Sequence, residues 1–339
     1  MLLFDSIMSP GKINVGYFEY SIVAHCNLKC VHCSQVAPHN PVFHQDFATY
    51  RRDIETLSKV YHTKRLRILG GEPLLHKELE SFIKLSRDSG FADEVGVCTN
   101  GKVLRRMPDS FFQAIDFLNI SWYEASGPDE ILQFAREKCA QFDKPLRIDP
   151  VSSRTARWGI GHIDKRIDDD GLVEKIYLGC RNAHINHNHT IHDGKYWKCA
   201  HVIFMKNYLE KLGTHVGDLF EGDGVPLHNN PNLKQELKDY RKSDTPLEAC
   251  RYCLGTAGVR VKWHQLGKDE IERPVEQAGG DVRNLIDFKS LEKDVILCNR
   301  YRHWPGFARA WPLYLEVRGK IKRLRKRMRS SAPTVSTTQ

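Results

Sequence analysis

The chain has 339 residues, with 51 lysines and arginines against 42 acidic residues. It has no apolar run of 18 residues and no secretory leader pattern at its amino terminus, which argues against a membrane-spanning or secreted protein. We therefore expect a cytoplasmic protein whose ten cysteines are reduced and available to metals rather than paired in disulfides.

The first half of the chain alternates between strand and helix patterns. Short buried strands are predicted at residues 18–24, 65–69, 94–99, 117–122 and 146–151. Helical periodicity is found between them, at 47–61, 76–89, 109–115 and 129–142. This alternation indicates parallel strands joined by crossover helices. A sixth strand is expected near 173–178, and a sheet of only five strands is the alternative.

A short loop after the first predicted strand carries Cys26, Cys30 and Cys33, spaced Cys-x3-Cys-x2-Cys. Three thiolates can hold a [4Fe–4S] cluster and leave one iron without a protein ligand, so that this iron is open to chemistry. A structural zinc site is the alternative. It would need a fourth ligand, such as His25 or His32.

A second motif, Gly70-Gly71-Glu72-Pro73, follows the second predicted strand. Glycines let a backbone approach a ligand closely, and a neighbouring carboxylate can accept hydrogen bonds from an ammonium group. The motif alone is an ordinary strand-exit turn. Its position after the cysteine loop makes it informative.

Together the two motifs resemble those of the radical S-adenosylmethionine (SAM) superfamily. In that family SAM chelates the open iron and is cleaved reductively to methionine and a 5′-deoxyadenosyl radical, which abstracts hydrogen from a substrate. The resemblance implies a partial (β/α) barrel of five or six parallel strands over residues 16–172, after an amino-terminal segment 1–15. It implies that the three loop cysteines hold the cluster and that Glu72 binds the methionyl amine. It also implies further contacts to SAM from Gly70, Gly71, Thr99, Asn100, Ser121 and His32.

The second half of the chain contains four further cysteines with cluster-like spacing: Cys180, Cys199, Cys250 and Cys253. Four thiolates can saturate a whole cluster or bind a structural zinc ion. With Gly194 between the first two cysteines, the pattern resembles the twitch domain, a shortened relative of the SPASM domain that holds one auxiliary [4Fe–4S] cluster. The gaps are most similar to those of the twitch dehydrogenases of aminoglycoside pathways. We place this small α+β domain at residues 173–262.

Three residues outside the cysteine sets are candidates for chemistry. Neutral imidazole can accept a proton, so His184 and His201 are candidate bases. Cys98 lies at the end of the third predicted strand and is a candidate hydrogen donor, with a buried core thiol as the alternative. The histidine-rich segment 184–192 invites a mononuclear metal site, but its alternation before Asp193-Gly194 favours one strand of a hairpin.

The carboxyl-terminal part divides into a loop-rich extension, 263–317, of unassigned role and a basic, partly disordered tail, 318–339. Eight of the basic residues lie within 318–329, and without them basic and acidic residues nearly balance. The stretch 304–329 predicts an amphipathic helix in peripheral contact with an anionic membrane. A solvated terminal helix is the alternative, and nucleic acid is not an expected partner.

These features predict a radical SAM oxidoreductase that dehydrogenates or epimerises a sugar or polyol, free or lipid-linked. The auxiliary cluster is expected to accept the electron left after hydrogen abstraction, and flavodoxin or ferredoxin is the expected external electron donor. One alternative is a maturase of a ribosomal peptide. Another is a structural or regulatory iron–sulfur or zinc protein that binds a membrane or nucleic acid through its tail.

Overall fold

The first half of the chain forms one parallel sheet. The computed structural model describes residues 9–151, 154 and 158–304. Within 9–151 five strands pair in sequential order, and each neighbouring pair is parallel. The strands are β1 (Ile13–Val23), β2 (Tyr61–Gly70), β3 (Ala92–Thr99), β4 (Phe117–Tyr123) and β5 (Leu146–Val151). The crossover helices are α1 (Phe47–Ser58), α2 (Leu79–Asp88), α3 (Asp109–Ala114) and α4 (Glu130–Gln141). This is a partial (β/α) barrel, as the sequence predicts.

The barrel elements form where local signals and apolar periodicity agree. Helix α1 begins after Asp46, whose side chain accepts a hydrogen bond from the Thr49 N–H at 2.7 Å. Helix α2 buries Leu79, Phe82 and Ile83, a spacing that places all three on one face against the sheet.

The expected sixth strand near 173–178 is wrong, because this segment is helix α5 (Asp170–Leu178). The side chain of Asp169 accepts a hydrogen bond from the Leu172 N–H at 3.0 Å and caps the helix. Leu172 and Val173 are buried together with Ile176 and Tyr177 one turn later, which is helical spacing.

The second half contains short antiparallel strands and helices. Strand β6 (Trp158–Gly159) pairs with β10 (Arg260–Val261), and β7 (Thr190–His192), β8 (Lys195–Trp197) and β9 (Val225–Pro226) form a three-stranded sheet. The helices are α5, α6 (Arg181–His184), α7 (Ala200–Lys211), α8 (Leu233–Lys242), α9 (Pro274–Gln277) and α10 (Phe288–His303). Short 3-10 turns occur at Ala37–His39, Pro73–Leu75, Leu104–Arg106, Glu221–Asp223, Glu248–Tyr252 and Val282–Leu285.

The hairpin predicted in the histidine-rich segment is confirmed. Strands β7 and β8 pair across Asp193 and Gly194, whose φ angles are 47° and 66°. Two positive φ angles are typical of the tight turn that matches the twist of a two-stranded hairpin. The hairpin packs against the barrel, since Ile191 and Tyr196 belong to the barrel core and the Glu19 N–H donates to the His189 carbonyl oxygen at 3.1 Å.

The carboxyl-terminal extension covers two parts of the molecule. Residues 263–272 lie along the cysteine loop, and helix α10 packs on α5 and α6 with Leu291 and Cys298 fully buried. The basic tail and all of the predicted amphipathic stretch beyond its first residue lie outside the described residues, and that first residue, Trp304, is exposed. Among the helices that the structure describes, none has the length and apolar run needed to cross a bilayer.

Candidate active site and metal centres

The carboxyl ends of the parallel strands open into a cavity of about 300 Å³. The carboxyl ends of such strands share one edge of the sheet, so side chains from separate strands meet there. The cavity wall contains most of the predicted site residues: Cys26, Cys30, Cys33, Gly70, Gly71, Cys98, Thr99, Asn100, Ser121, Cys199 and His201. The structure therefore brings these residues together, and their individual roles stay predictions.

The three loop thiols suit a metal cluster. The Leu28 N–H and the Asn100 side-chain amide donate to the Cys26 sulfur at 3.4 and 3.5 Å, and such donors favour a thiolate. Burial is the main cause that raises the pKa of the Cys26 thiol, to about 12. A buried thiol with this pKa ionises when a metal binds it. Three thiols beside an open cavity are the donor set that a [4Fe–4S] cluster with one free iron requires.

Three aromatic side chains surround the loop thiols. Tyr123 lies between Trp158 and Trp263, with ring centroids 6.0 and 5.2 Å away. Burial raises the pKa of the Cys30 thiol. The three rings belong to one apolar cluster with the loop cysteines.

The two glycines of the second motif line the cavity and also allow close packing of two strand ends. A Cβ atom at Gly71 would lie 1.9 Å from the His25 carbonyl oxygen, and one at Gly70 would lie 2.1 Å from that of Val23. The φ angle of Gly70 is also positive, at 146°. Side chains at these positions would therefore separate β2 from the cysteine loop.

Glu72 is buried between the exits of two strands. Its carboxylate is fully buried, is not part of the cavity wall, and accepts hydrogen bonds from Leu74 N–H (3.1 Å), Thr99 Oγ1 (2.6 Å) and Asn100 N–H (2.8 Å). Burial raises the pKa of Glu72 to about 7. The predicted contact with the methionyl amine stays a prediction. In this geometry Glu72 clamps the exit of β2 to that of β3.

A buried ion pair, which the sequence analysis missed, forms part of the cavity wall. Glu19 on β1 and Arg67 on β2 are register partners, and their side chains form a salt bridge. Glu19 is buried and the Arg67 guanidinium lies over the Tyr17 ring. Glu19, the charged residue within the mostly apolar strand β1, was the available signal.

The four cysteines of the second set surround a small cavity of about 30 Å³: Cys180, Cys199, Cys250 and Cys253. The Gly255 N–H donates to the Cys253 sulfur at 3.2 Å. Lys198 lies in the same cavity wall and is only 1% exposed, with Nζ bonded to Tyr177 Oη at 2.6 Å and to the Ser243 carbonyl oxygen at 3.1 Å. Within the described residues no carboxylate is at ion-pair distance from this cation.

An unpaired buried cation beside four thiols indicates an anionic occupant, because burying a charge without a counter-charge is costly. A metal bound by four thiolates has a net negative charge, so the residues fit either a [4Fe–4S] cluster or a zinc ion.

The two cavities share part of their walls. Asn182, Cys199 and His201 line both of them. Burial lowers the pKa of His201 to about 3, so its ring is neutral at physiological pH. The second cysteine set therefore reaches the larger cavity through Cys199.

The predicted site residues His184 and His32 also lie outside the wall of the larger cavity. The His184 ring is buried against the Tyr177 carbonyl oxygen, at 2.9 Å from Nε2, and lines neither cavity. The geometry therefore does not support it as a base. His32 adopts a φ of 48°, and its N–H donates to Glu272 at 3.0 Å. The ring of His32 is not part of the wall where SAM contact was expected.

A profile of the Radical SAM superfamily matches residues 20–137, which contain the cysteine loop and strands β2 to β4. This chain is a member of that superfamily. Radical SAM enzymes use a [4Fe–4S] cluster together with SAM, and the loop cysteines lie within the matched residues.

The curated relatives include several GTP 3′,8-cyclases. That of Aliarcobacter butzleri is 30% identical over 228 residues, which cover 66% of each chain. That of Helicobacter pylori is 30% identical over 217 residues, 61% of this chain and 60% of the relative. That of Thermodesulfovibrio yellowstonii is 33% identical over 108 residues, 30% of this chain and 32% of the relative. The matches thus span from about a third to about two thirds of these relatives.

Distant similarity to solved radical SAM structures covers more of this chain than the matches to the GTP 3′,8-cyclases do. BtrN in complex with AdoMet and 2-DOIA has a TM-score of 0.41 and 16% identity, covering 76% of this chain and 98% of that one. Native anSMEcpe with bound AdoMet and Cp18Cys peptide has a TM-score of 0.43 and 14% identity, covering 91% and 99%.

Proposed function

We propose that this radical SAM enzyme dehydrogenates a small sugar or polyol, converting a carbinol carbon to a carbonyl group. The observation that carries the proposal is the shared cavity, whose wall includes Cys26, Cys30 and Cys33 together with Cys199 of the second set. A substrate in this cavity contacts both candidate metal centres. When bound, the cluster and SAM at the loop supply a 5′-deoxyadenosyl radical, and a cluster at the second set supplies an electron acceptor.

The reaction balances with the groups of the cavity. The carbinol carbon loses a hydrogen atom, which ends on 5′-deoxyadenosine, and the hydroxyl group loses a proton. The remaining electron leaves to the iron–sulfur acceptor, and the carbon–oxygen double bond forms. Glu19 is a better proton acceptor than His201, because burial raises the pKa of Glu19 and lowers that of His201 to about 3.

The charge of the cavity favours an uncharged substrate. Among the described residues of its wall, Glu19 and Arg67 are the ones with full charges, and they neutralise each other. Hydroxyl-bearing compounds can use the remaining polar groups, such as Ser121, Asn182 and Asn188. The resemblance of the cysteine spacing to the aminoglycoside-pathway dehydrogenases supports the same substrate class.

A second candidate, cyclisation of GTP, is favoured by the names of the curated relatives. A triphosphate is usually bound by several cationic groups. In the described wall Arg67 is the cationic residue, and it is already paired with Glu19. We therefore rank this candidate second.

The test uses the full chain, reconstituted anaerobically with iron and sulfide and then reduced. It is given SAM with polyols and aminocyclitols that are deuterated at the carbinol carbons, and with GTP in parallel. We expect deuterium in 5′-deoxyadenosine and one ketone formed per SAM consumed. Consumption of GTP to a cyclised product, with no ketone from any polyol, would contradict the proposal.

A further inference from the structure

The carboxyl-terminal extension pairs with the cysteine loop. The Val31 N–H donates to the His264 carbonyl oxygen at 3.1 Å, and the Leu266 N–H donates to that of Lys29 at 2.8 Å. An antiparallel bridge joins Cys30 to Gln265. Residues 263–272, which we call the clasp, therefore lie beside the loop as part of the same local structure.

The far end of the clasp is fixed by Glu272. Its carboxylate is 2% exposed and is bonded to the His32 N–H at 3.0 Å, to His39 Nε2 at 2.6 Å and to His162 Nε2 at 2.9 Å. These partners come from the loop, from the turn after it and from the segment after β6. The clasp is thus held at both ends, and its first residue has a defined position.

That first residue is Trp263. Its side chain is 4% exposed and packs in one cluster with Leu28 and Cys30. The indole N–H is buried and has no hydrogen-bond partner among the described residues. A buried tryptophan N–H normally has an acceptor, so this exception calls for an explanation. The adjacent sulfur of Cys30 becomes a strong acceptor once it is a metal-bound thiolate.

We propose that Trp263 donates an N–H···S hydrogen bond to the Cys30 thiolate in the metal-loaded enzyme and raises the reduction potential of the cluster held by the loop. A hydrogen bond to a cluster sulfur stabilises the reduced state more than the oxidised state, because the reduced cluster is more negative. This role rests on the cluster at Cys26, Cys30 and Cys33 and is independent of the substrate.

The first experiment uses the unaltered, reconstituted and reduced chain, produced with tryptophan labelled with ¹⁵N in the indole ring. Pulsed EPR is recorded on the cluster signal that changes when SAM is added. We expect a ¹⁵N coupling on this signal. The coupling should be lost in Trp263→Phe, which keeps an aromatic ring but removes the donor.

Trp158→Phe is the matched control. Trp158 also contacts the Tyr123 ring, but its N–H donates to the Val31 carbonyl oxygen rather than to sulfur. This variant should keep the coupling. In an EPR-monitored titration, the midpoint potential of the same cluster should become more negative in Trp263→Phe and stay unchanged in Trp158→Phe.

The outcomes separate this inference from the proposed function. A SAM-responsive cluster signal without ¹⁵N coupling in the unaltered enzyme overturns the role of Trp263 and leaves the proposed function standing. An unchanged potential in a cluster-loaded Trp263→Phe protein does the same. If Trp263→Phe assembles no cluster, the ¹⁵N coupling in the labelled unaltered enzyme still tests the role of Trp263. Absence of any SAM-responsive cluster in that enzyme overturns both proposals.

Discussion

The two cysteine sets have opposite surroundings. The loop set offers three thiols to a cavity of about 300 Å³ with polar walls, whereas the second set offers four thiols to a cavity of about 30 Å³ beside a buried lysine. A centre with an open ligand position needs room for a second molecule. A saturated centre needs only enclosure and a compensating charge. The cavities thus match the difference in ligand number.

The sets also differ in how they are assembled. Cys26, Cys30 and Cys33 come from one short loop after β1. The second set is drawn from the starts of α6 and α7 and from the 3-10 turn at Glu248–Tyr252 with the residue that follows it. The loop can therefore present its thiols through local structure, while the second site exists only when distant segments have packed.

The largest expected effect comes from removing each set in turn. Replacing Cys26, Cys30 and Cys33 by alanine should abolish SAM cleavage and reduce iron from about eight to about four per chain, the content of one [4Fe–4S] cluster. Replacing Cys250 and Cys253 should reduce iron similarly, while reductive SAM cleavage continues and ketone formation stops. Metal analysis and chromatography of 5′-deoxyadenosine provide the measurements.

Stoichiometric zinc in protein purified anaerobically would show that the second set is a zinc site. SAM cleavage by the triple-alanine variant would contradict the loop assignment.

Glu72→Gln tests the clamp at the larger cavity. Glutamine replaces one carboxylate oxygen, which accepts hydrogen bonds from buried donors, by an NH₂ group. At least one of these donors then loses its acceptor. We expect the free energy of unfolding to fall by about 1–3 kcal/mol. Denaturant titration measures this, with the exposed Glu78→Gln as control. Unchanged stability with weaker SAM binding by equilibrium dialysis would instead favour the amine contact.

The contributions of Glu272 and Asp223 to the pH dependence of stability should have opposite signs. Burial raises the pKa of Glu272, but hydrogen bonds from His162 and His39 lower it by more than burial raises it. The net pKa is therefore below its usual value of 4.5. Its stabilisation is therefore present above about pH 4.5 and is lost as pH falls. Burial raises the pKa of Asp223, which accepts from the Glu248 and Ala249 N–H groups, from 3.8 to about 6. As pH falls, Asp223 is protonated in the native state before it is protonated in the unfolded state. This group therefore contributes more stability as pH falls from 6 to 4.

Glu272→Gln and Asp223→Asn isolate these two contributions. Relative to the unaltered protein, the first variant should lose less stability on acidification. Asp223→Asn should lack the gain in the free energy of unfolding that Asp223 provides between pH 6 and 4. This gain is roughly 2–3 kcal/mol, at about 1.4 kcal/mol per unit of pKa shift. Denaturant titrations at several pH values measure both, and identical pH profiles in all three proteins would refute the assignment.

Lys198→Met should change the second site alone. Loss of a buried positive charge makes the reduced, more negative cluster less stable, so its midpoint potential should become more negative. The potential of the SAM-responsive cluster should not move. Lys195→Met, which removes a lysine that pairs with Glu221, is the control. Equal shifts in both variants would show that the effect is not specific to the buried cation.

The smallest effect is expected from Cys98→Ala. Cys98 lines the larger cavity, and its sulfur accepts a hydrogen bond from the Asn119 side-chain amide at 3.6 Å. A dehydrogenase needs no residue that returns a hydrogen atom to the substrate radical. Ketone formation should stay near that of the unaltered enzyme. If 5′-deoxyadenosine forms while product formation stops, and solvent deuterium enters the product of the unaltered enzyme, the reaction is an epimerisation.

Much of the barrel could be predicted because its signals are local. Apolar periodicity located β1 to β5 and the helices between them, with ends up to five residues from those observed, and Asp193-Gly194 located the hairpin turn. The segment 173–178 was misassigned because a short apolar run suits a strand and a helix equally well. The Asp169 cap decides for the helix.

The amino-acid sequence alone determined which thiols the loop can offer, since Cys26, Cys30 and Cys33 are separated by only a few residues. It also supplied four more cysteines without showing that they converge. The hydrogen-bond partners of Glu72, the close packing at Gly70 and Gly71, the Glu19–Arg67 pair and the clasp were decided only by the tertiary structure. Each depends on atoms from segments far apart in the chain, such as Trp263 beside Cys30. Local spacing specifies donors within one loop, but only packing determines which distant side chain a buried polar group meets.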